Sequence, residues 1–329
     1  MTLLYEGATT GAGIRIMVLR QLEYLAALAR ERHFGRAAEA CHVSQPTLSA
    51  AIRLLEEDLG APIVERGHRY VGLTPQGQVA LEHAHRILAE VENLRRGLEE
   101  IDKGLTGRLR IGVIPTALPI VSQLTGPFYA LFPGVTVAVV SMNSQEIDRG
   151  IEEFELDVGL TYLDAEPLGH VKAKPVCSEE YLFLTQARGP FAGRTQVTWR
   201  EAANTPLCLL TPDMQNRRII DGVFRSVGVK PVPAVETNSI FNLVSHVSAG
   251  QWSAIVPRQL LRFFGLPEGT RAIELIEPVA QRTIGLVMSD REPPSPLARN
   301  LFAMQLPGDI AALIQPPNRL GEEPASAGR

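Results

Sequence analysis

Between Pro75 and Lys103 the chain reads PQGQVALEHAHRILAEVENLRRGLEEIDK, and this stretch limits the folds open to the rest. Thr74 can cap a helix here and Pro75 can open it. The apolar positions Leu81, Ala84, Ile87, Leu88, Val91, Leu94, Leu98 and Ile101 follow a helical period. Two rows, 84–91–98 and 87–94–101, repeat at every seventh residue, as in a coiled-coil seam. A lone helix cannot bury such a stripe against itself. Leu81, Leu88, Val91, Leu94 and Leu98 are therefore expected to dimerise the chain through a partner helix; the alternative is packing on the chain's own domains. The chain is thus divided into a small region before this helix and a large one after it.

The region before it, about Val18 to Leu73, reads as a compact helical domain. LRQLEYLAALARERH spaces Leu22, Leu25, Ala26, Leu28 and Ala29 near helical period, and FGRAAEACH forms a second short helix. In QPTLSAAIRLLEEDLG, Ser44 is a natural N-cap, Pro46 lies in the first turn, and Gly60 stops the helix. Leu48, Ile52, Leu55 and Leu59 recur at i, i+4, i+7 and i+11, which predicts one buried face. APIVERGHRYVGLT reads as two strands around a Gly67 turn, a β-wing.

The large region, about Leu105 to Ile314, alternates strand-like and helical stretches. GRLRIGVIP, GVTVAVVSM, LDVGLTYL, YLFLTQ, PLCLL and SAIVP are apolar runs of strand length. Helical SQEIDRGIEEFE and NSIFNLVSHVSAG lie between them, so an α/β fold with parallel sheets is expected. Residues 1–16 read as an unstructured extension or an upstream start before Met17, and 315–329 as a disordered tail. With 329 residues, 45% hydrophobic and 21% charged, the composition is that of an ordinary soluble chain of two or three domains. No apolar run approaches the ~18–20 residues that span a bilayer, so no membrane partner is expected. Cys41, Cys177 and Cys208 are few and form no CxxC pair, which fits a reducing cytoplasm and no metal. No nucleophile–base pair or phosphate loop suggests an enzyme.

The motifs LRQLEYL, RHFGRAAEACHVSQPTLS, IRLLEEDLG and VERGHRYVGLTPQG closely resemble the winged helix-turn-helix of LysR-type transcriptional regulators. The resemblance continues through GLTGRLRIGVIP and covers nearly the whole chain. It implies an all-α/winged helix-turn-helix DNA-binding domain over 17–75 and a dimerising linker helix over 76–104. An α/β two-lobe effector domain, like a periplasmic binding protein, then spans 105–314. Lobe I is expected at about 107–177 with 281–314, and lobe II at about 178–280. It further implies a bacterial, cytoplasmic regulator without cofactor. Such a regulator binds double-stranded operator DNA as a dimer or homotetramer, contacts RNA polymerase, and answers to a small-molecule co-inducer.

Charge alone argues against DNA binding: the formal net charge is −4. Within 17–75 the arginines 20, 30, 32, 36, 53, 66 and 69 are cancelled by Glu23, Glu31, Glu39, Glu56, Glu57, Asp58 and Glu65. Position resolves the conflict. The three acids 56–58 cluster at the last turns of the third helix, with Glu56 and Glu65 expected on solvated faces. The first turns, Ser44 to Ser49, carry no acid and present the positive helix end. Gln45 can hydrogen-bond adenine bidentately and Thr47 offers a methyl to thymine. Ser44, Pro46, Ser49 and Arg53 complete that end, and Arg66, His68 and Arg69 are placed on the wing. Ala50 stands where the family often has a basic or amide residue.

In the effector region, candidate ligand residues sit at strand ends and helix starts. They are Thr116, where the resemblance places a co-inducer-binding Ser or Thr, with Asn143, Ser144, Thr161, Met214, Asn216, Arg217, Thr237, Asn238 and Ser239. Helix capping is the alternative role for most of them. Hydroxyls and amides at helix N-termini favour a small anion. VIPTALP and TPDMQNRRII resemble a branch associated with one-carbon operons; only this resemblance suggests a small carboxylate such as formate, and no residue derives that substrate. CHVSQPTLS resembles the peroxide-sensing branch, but Met214 stands where a reactive cysteine belongs. A redox sensor is the first alternative and a solute-binding protein the second. Gln45→Ala should relax specificity by ~1–3 kcal/mol at one base pair, whereas Arg69→Ala should weaken every sequence alike. A base-substitution series read by gel shift distinguishes the two patterns.

Overall fold

The computed structural model describes residues 18–66 and 70–305, which form two compact units divided between Arg95 and Arg96. His68, Arg69, the Gly67 turn, the 1–16 extension and the 315–329 tail lie outside the described residues.

In the first unit the helices are α1 (Leu19–Glu31), α2 (Phe34–Ala40) and α3 (Gln45–Leu59). The strands β1 (Val64–Arg66) and β2 (Tyr70–Leu73) pair antiparallel, and α4 (Pro75–Lys103) follows. The cap signals act where the sequence places them. Ser44 Oγ accepts the Thr47 N–H, and Gly60 closes α3 in the left-handed region at φ 68°. Thr74 Oγ1 accepts the Gly77 N–H at 2.9 Å and donates to the Pro62 carbonyl at 2.7 Å, tying α4 to the wing. Leu22, Leu25, Leu28, Leu48, Ile52 and Leu55 form the core of this unit.

Three expectations change here. Leu59 is 45% exposed, because α3 ends one residue later and its last turn leaves the core. Glu56 is not on a solvated face; its carboxylate accepts the Ile63 and Val64 N–H groups at 3.0 and 3.2 Å and starts β1. Leu81 is buried in the core of its own unit and so is not on a dimer seam, whereas Leu88 packs partly on that core and stays half-buried. Leu94, Leu98 and Ile101 are exposed, and Val91 is half-buried.

The second unit begins in α4. Arg96 pairs with Asp157 at 3.3 Å, and Glu100 with Arg299 at 3.3 Å. Its elements follow as β3 (Gly107–Val113), α5 (Leu118–Leu131), β4 (Val135–Ser141), α6 (Ser144–Glu152), β5 (Val158–Tyr162) and β6 (Val171–Gln186). Next come β7 (Gln196–Thr198), α7 (Trp199–Ala203), β8 (Leu207–Leu210), α8 (Gln215–Ser226), β9 (Val235–Thr237) and α9 (Ile240–Ser248). The last are β10 (Ser253–Pro257), α10 (Arg258–Phe264), β11 (Thr270–Ile276), β12 (Gln281–Ser289) and α11 (Pro296–Ala303).

The strand order is β4-β3-β5-β12-β6-β10-β8-β9, with β11 on β6 and β7 on β11. The β4-β3-β5 and β10-β8-β9 sets are parallel, as expected, but the sheet as a whole is mixed. Both β12 and β6 run antiparallel to their neighbours. One strand, β6, serves both lobes. Its first part, Val171–Glu180, pairs with β12, and its second, Tyr181–Gln186, with β10 and β11. Trp199 anchors lobe II, fully buried, donating to the Pro278 carbonyl at 2.9 Å and meeting Phe224 edge-on. Among the described residues no helix is long and apolar enough to cross a membrane.

Gly77 is where α4 crosses the wing most closely: a Cβ there would lie 2.0 Å from the Ile63 carbonyl oxygen. Backbone cannot yield as a side chain does, so Gly77→Ala should destabilise the first unit by about 2–3 kcal/mol. Urea unfolding of the full chain, followed by hydrogen exchange in 18–66, reads this; an unchanged first unit would show that α4 and the wing are not in contact.

Candidate nucleic-acid interface and ligand cleft

The first turn of α3 is the exposed end of the first unit. Ser44, Gln45, Pro46 and Thr47 are all exposed, Ser49 is half-buried, and the first turn holds no acid. Ser44 Oγ lies 2.8 Å from Thr47 Oγ1, so the Thr47 hydroxyl is engaged within the cap and its methyl remains for apolar contact. Ser44 thus has a structural role whatever it contacts. Arg53 is exposed one turn beyond, its Nε donating to the Ser49 carbonyl at 3.3 Å. His33 caps α2 by accepting two backbone N–H groups, a local device beside this surface that sequence reading did not assign. Backbone N–H groups, short polar side chains and a positive helix end suit a polyanion more than net charge implies. Of the wing residues, Arg66 closes β1, and His68 and Arg69 are among the residues not described.

In the second unit the candidate residues do not converge on one place. Ser144 and Thr161 line a cavity of about 330 Å³ at the C-terminal ends of the lobe I strands, with Asp148, Glu166 and, from lobe II, Gln215. Two buried oxygens on its lining residues, Thr161 Oγ1 and Gln215 Oε1, have no hydrogen-bond partner. Arg218 spans the lobes: its guanidinium holds the Glu166 carboxylate at 2.6 and 2.9 Å and reaches Ser144 Oγ at 3.5 Å.

Thr116 and Asn216 meet elsewhere, around Glu179. Tyr162 Oη donates to Glu179 Oε1 at 2.6 Å and contacts Thr116 Oγ1 at 3.0 Å. Asn216 Nδ2 donates to Tyr162 Oη at 3.1 Å and to Glu179 Oε1 at 3.5 Å. Gln259 Nε2 donates to Glu179 Oε2 at 2.7 Å. Glu179 is completely buried and has no ion-pair partner among the described residues. Burial pushes its carboxyl up to about 7, against the opposing pull of these hydrogen bonds.

The other candidates serve as caps or structural pairs. Asn143 caps α6 in a capping box with Glu146. Thr237 Oγ1 accepts from Ser239 N–H and Asn242 Nδ2; Asn238 is exposed and Ser239 makes no side-chain cap bond. Met214 packs against the lobe II core. Arg217 corrects the reading most clearly. It is buried and bound to Asp221, Glu236 and the Leu210 carbonyl, so its guanidinium is not available to a ligand, and Arg218 is the bridging arginine. Sequence reading missed Tyr162, Glu179, Gln215 and Gln259. The strand period offered one signal: Cys177, Glu179, Tyr181 and Phe183 alternate along one buried face of β6.

The cysteines are buried or half-buried and unpaired. Desolvation raises Cys177 to about 12 and Cys208 to about 11, far from a reactive thiolate. Register places Cys208 across Ala254 from Leu184, seven residues along β6 from Cys177, on the order of 20 Å at ~3.3 Å per residue. A disulfide tolerates at most ~7 Å between Cα atoms.

A winged helix-turn-helix followed by a two-lobe α/β unit with a polar cleft defines a ligand-responsive DNA-binding regulator. The comparisons agree. The family description "Bacterial regulatory helix-turn-helix protein, lysR family" matches residues 19–78, and "LysR substrate binding domain" matches 102–306. The "DNA-binding transcriptional dual regulator OxyR" of Escherichia coli is 31% identical over 282 residues, 85% of this chain and 91% of that protein. A full-length OxyR variant from Pseudomonas aeruginosa superposes with a TM-score of 0.67 at 26% identity, covering 87% of this chain and 96% of the other. The fold is shared with CbnR in a structure with its target DNA, at TM-score 0.61 and 23% identity, covering 87% and 98%. The chain belongs to the LysR family of transcriptional regulators.

Because the folded state raises Glu179 above its unfolded value of 4.5, it adds stability below about pH 4.5 that is lost as pH rises through about 7. Relative to Glu179→Gln, the second unit should lose roughly 3 kcal/mol between those limits, at about 1.36 kcal/mol per pH unit over about 2.5 pH units. Denaturant unfolding across pH measures this; parallel curves for the two proteins would show that folding does not shift the Glu179 carboxyl.

Proposed function

We propose that this LysR-type regulator reads operator DNA with the first turns of α3 and joins its copies through the exposed stripe Leu94, Leu98 and Ile101. The observation that carries this is the segregation of charge along α3: an exposed, acid-free, polar first turn, with Glu56 drawn into the wing. Equal numbers of acids and bases in the domain mean few phosphate contacts and weak binding by one copy. A second copy held by α4 restores affinity through effective concentration. Dimers, and tetramers as pairs of dimers, are the assemblies this requires. The proposed setting is the bacterial cytoplasm, with RNA polymerase as the partner through which transcription responds.

The proposed signal is a small co-inducer in the cleft lined by Ser144, Thr161 and Gln215, and a small carboxylate such as formate is the class proposed. Glu166 and Asp148 stand at the same cavity, so an anion must take the place of Glu166 on Arg218 rather than join it. Several relatives are named as hydrogen peroxide-inducible activators, which favours a redox sensor as the second reading. The desolvated and distant Cys177 and Cys208 support the ligand reading instead.

Replacing Leu94, Leu98 and Ile101 together by glutamate should lower operator affinity at least ~100-fold while each copy stays folded. Sedimentation velocity and gel shift read the two effects, and a monomer that binds at wild-type strength would refute the oligomer requirement. Hydrogen peroxide should leave the shift unchanged; a peroxide response abolished by Cys208→Ser would establish the redox reading.

A further inference from the structure

Glu179 has features that neither DNA binding nor a simple ligand cleft requires. It lies near the middle of β6, the strand that both lobes share. Its carboxyl is held from lobe I by Tyr162 and from lobe II by Asn216 and Gln259. The charged groups on the surrounding elements are engaged elsewhere. Arg217 of α8 holds Asp221 and Glu236, and Arg258 of α10 holds Glu180 and Glu274. Arg282, its cross-strand neighbour on β12, donates to the Gln281 carbonyl and makes no ion pair with it. The Tyr181 hydroxyl, two residues along β6, is buried on the same face of the strand as the carboxyl, and Arg282 Nε has no hydrogen-bond partner.

The chain Glu179–Tyr162–Thr116 can run in two directions. With Glu179 ionised, Tyr162 donates to the carboxylate and the Thr116 hydroxyl donates to Tyr162. With Glu179 protonated, its O–H donates to Tyr162 and Tyr162 donates to Thr116. The Thr116 hydrogen is then released for another acceptor. Only one proton is added, and every other bond in the chain reverses.

We propose that Glu179 is a proton-operated coupling between the lobes: its protonation holds the junction closed, and its ionisation loosens it. A charge buried away from solvent, with no ion-pair partner among the described residues, is costly, and burial raises the carboxyl accordingly.

Peptide-resolved hydrogen exchange on the full chain, corrected for intrinsic rate, tests the coupling without any ligand. Peptides from β6 and β12 should exchange about tenfold faster at about pH 8 than at about pH 6 in the wild type, and equally in Glu179→Gln. If Glu179→Gln fails to fold, Tyr162→Phe serves: losing a donor to the carboxylate, it should move the transition to higher pH. Identical pH dependence in wild type and variant, or none in the wild type, would overturn the proposal.

Discussion

A fully buried carboxyl group, with no ion-pair partner among the described residues, sits on the one strand that the two lobes share. Every donor to Glu179 comes from a different element: Tyr162 from β5, Asn216 from α8 and Gln259 from α10. Displacing one lobe therefore removes partners from a group whose burial is tolerable only while they are present. The polar cleft nearby, with Arg218 clasping Glu166 from the opposite lobe, has the same character. Both are polar contacts across a junction whose surroundings are apolar. Such contacts have well-separated alternative arrangements, and a regulator needs that property in its sensing half.

The DNA-binding half solves an electrostatic problem by placement instead. Its acids and arginines cancel, yet they do not occupy the same surface. Glu56 is turned inward to the first strand of the wing, and the exposed first turn of α3 presents hydroxyls, an amide and the positive end of the helix. Helix-end fields act over a turn, not over the whole domain, so local polarity prevails over net charge at contact distance. On the proposed reading, the cost is a modest affinity per copy. This connects the interface to the exposed leucines of α4, because the same chain that binds weakly carries the means of binding twice.

Much of this architecture was legible in the sequence where the signal is local. Ser44, Thr74 and Gly60 act as caps because capping depends on a few neighbouring atoms, and apolar periodicity located α1, α3 and α4. Signals that depend on distant partners were not legible. Leu81 and Leu94 share one stripe, but only the fold decides that the first enters a core and the second stays exposed. Arg217 and Arg218 are adjacent and chemically identical, yet Asp221 and Glu236 occupy one and Glu166 the other. The first part of β6, VKAKPVCSEE, lacks an apolar run because most of it is exposed or half-buried beside β12, so it did not read as a strand. Glu179 differs from Glu180 only in the face of the strand it occupies.

Selection of binding sites from randomised duplex DNA by the full chain, followed by hydroxyl-radical footprinting of the selected sequence, tests the central claim most directly. The account predicts a partly symmetric site with protection in half-sites separated by about 10 bp or a multiple of it, occupied together as protein concentration rises. Enrichment of no sequence, or a single protected patch filled by one copy, would contradict it.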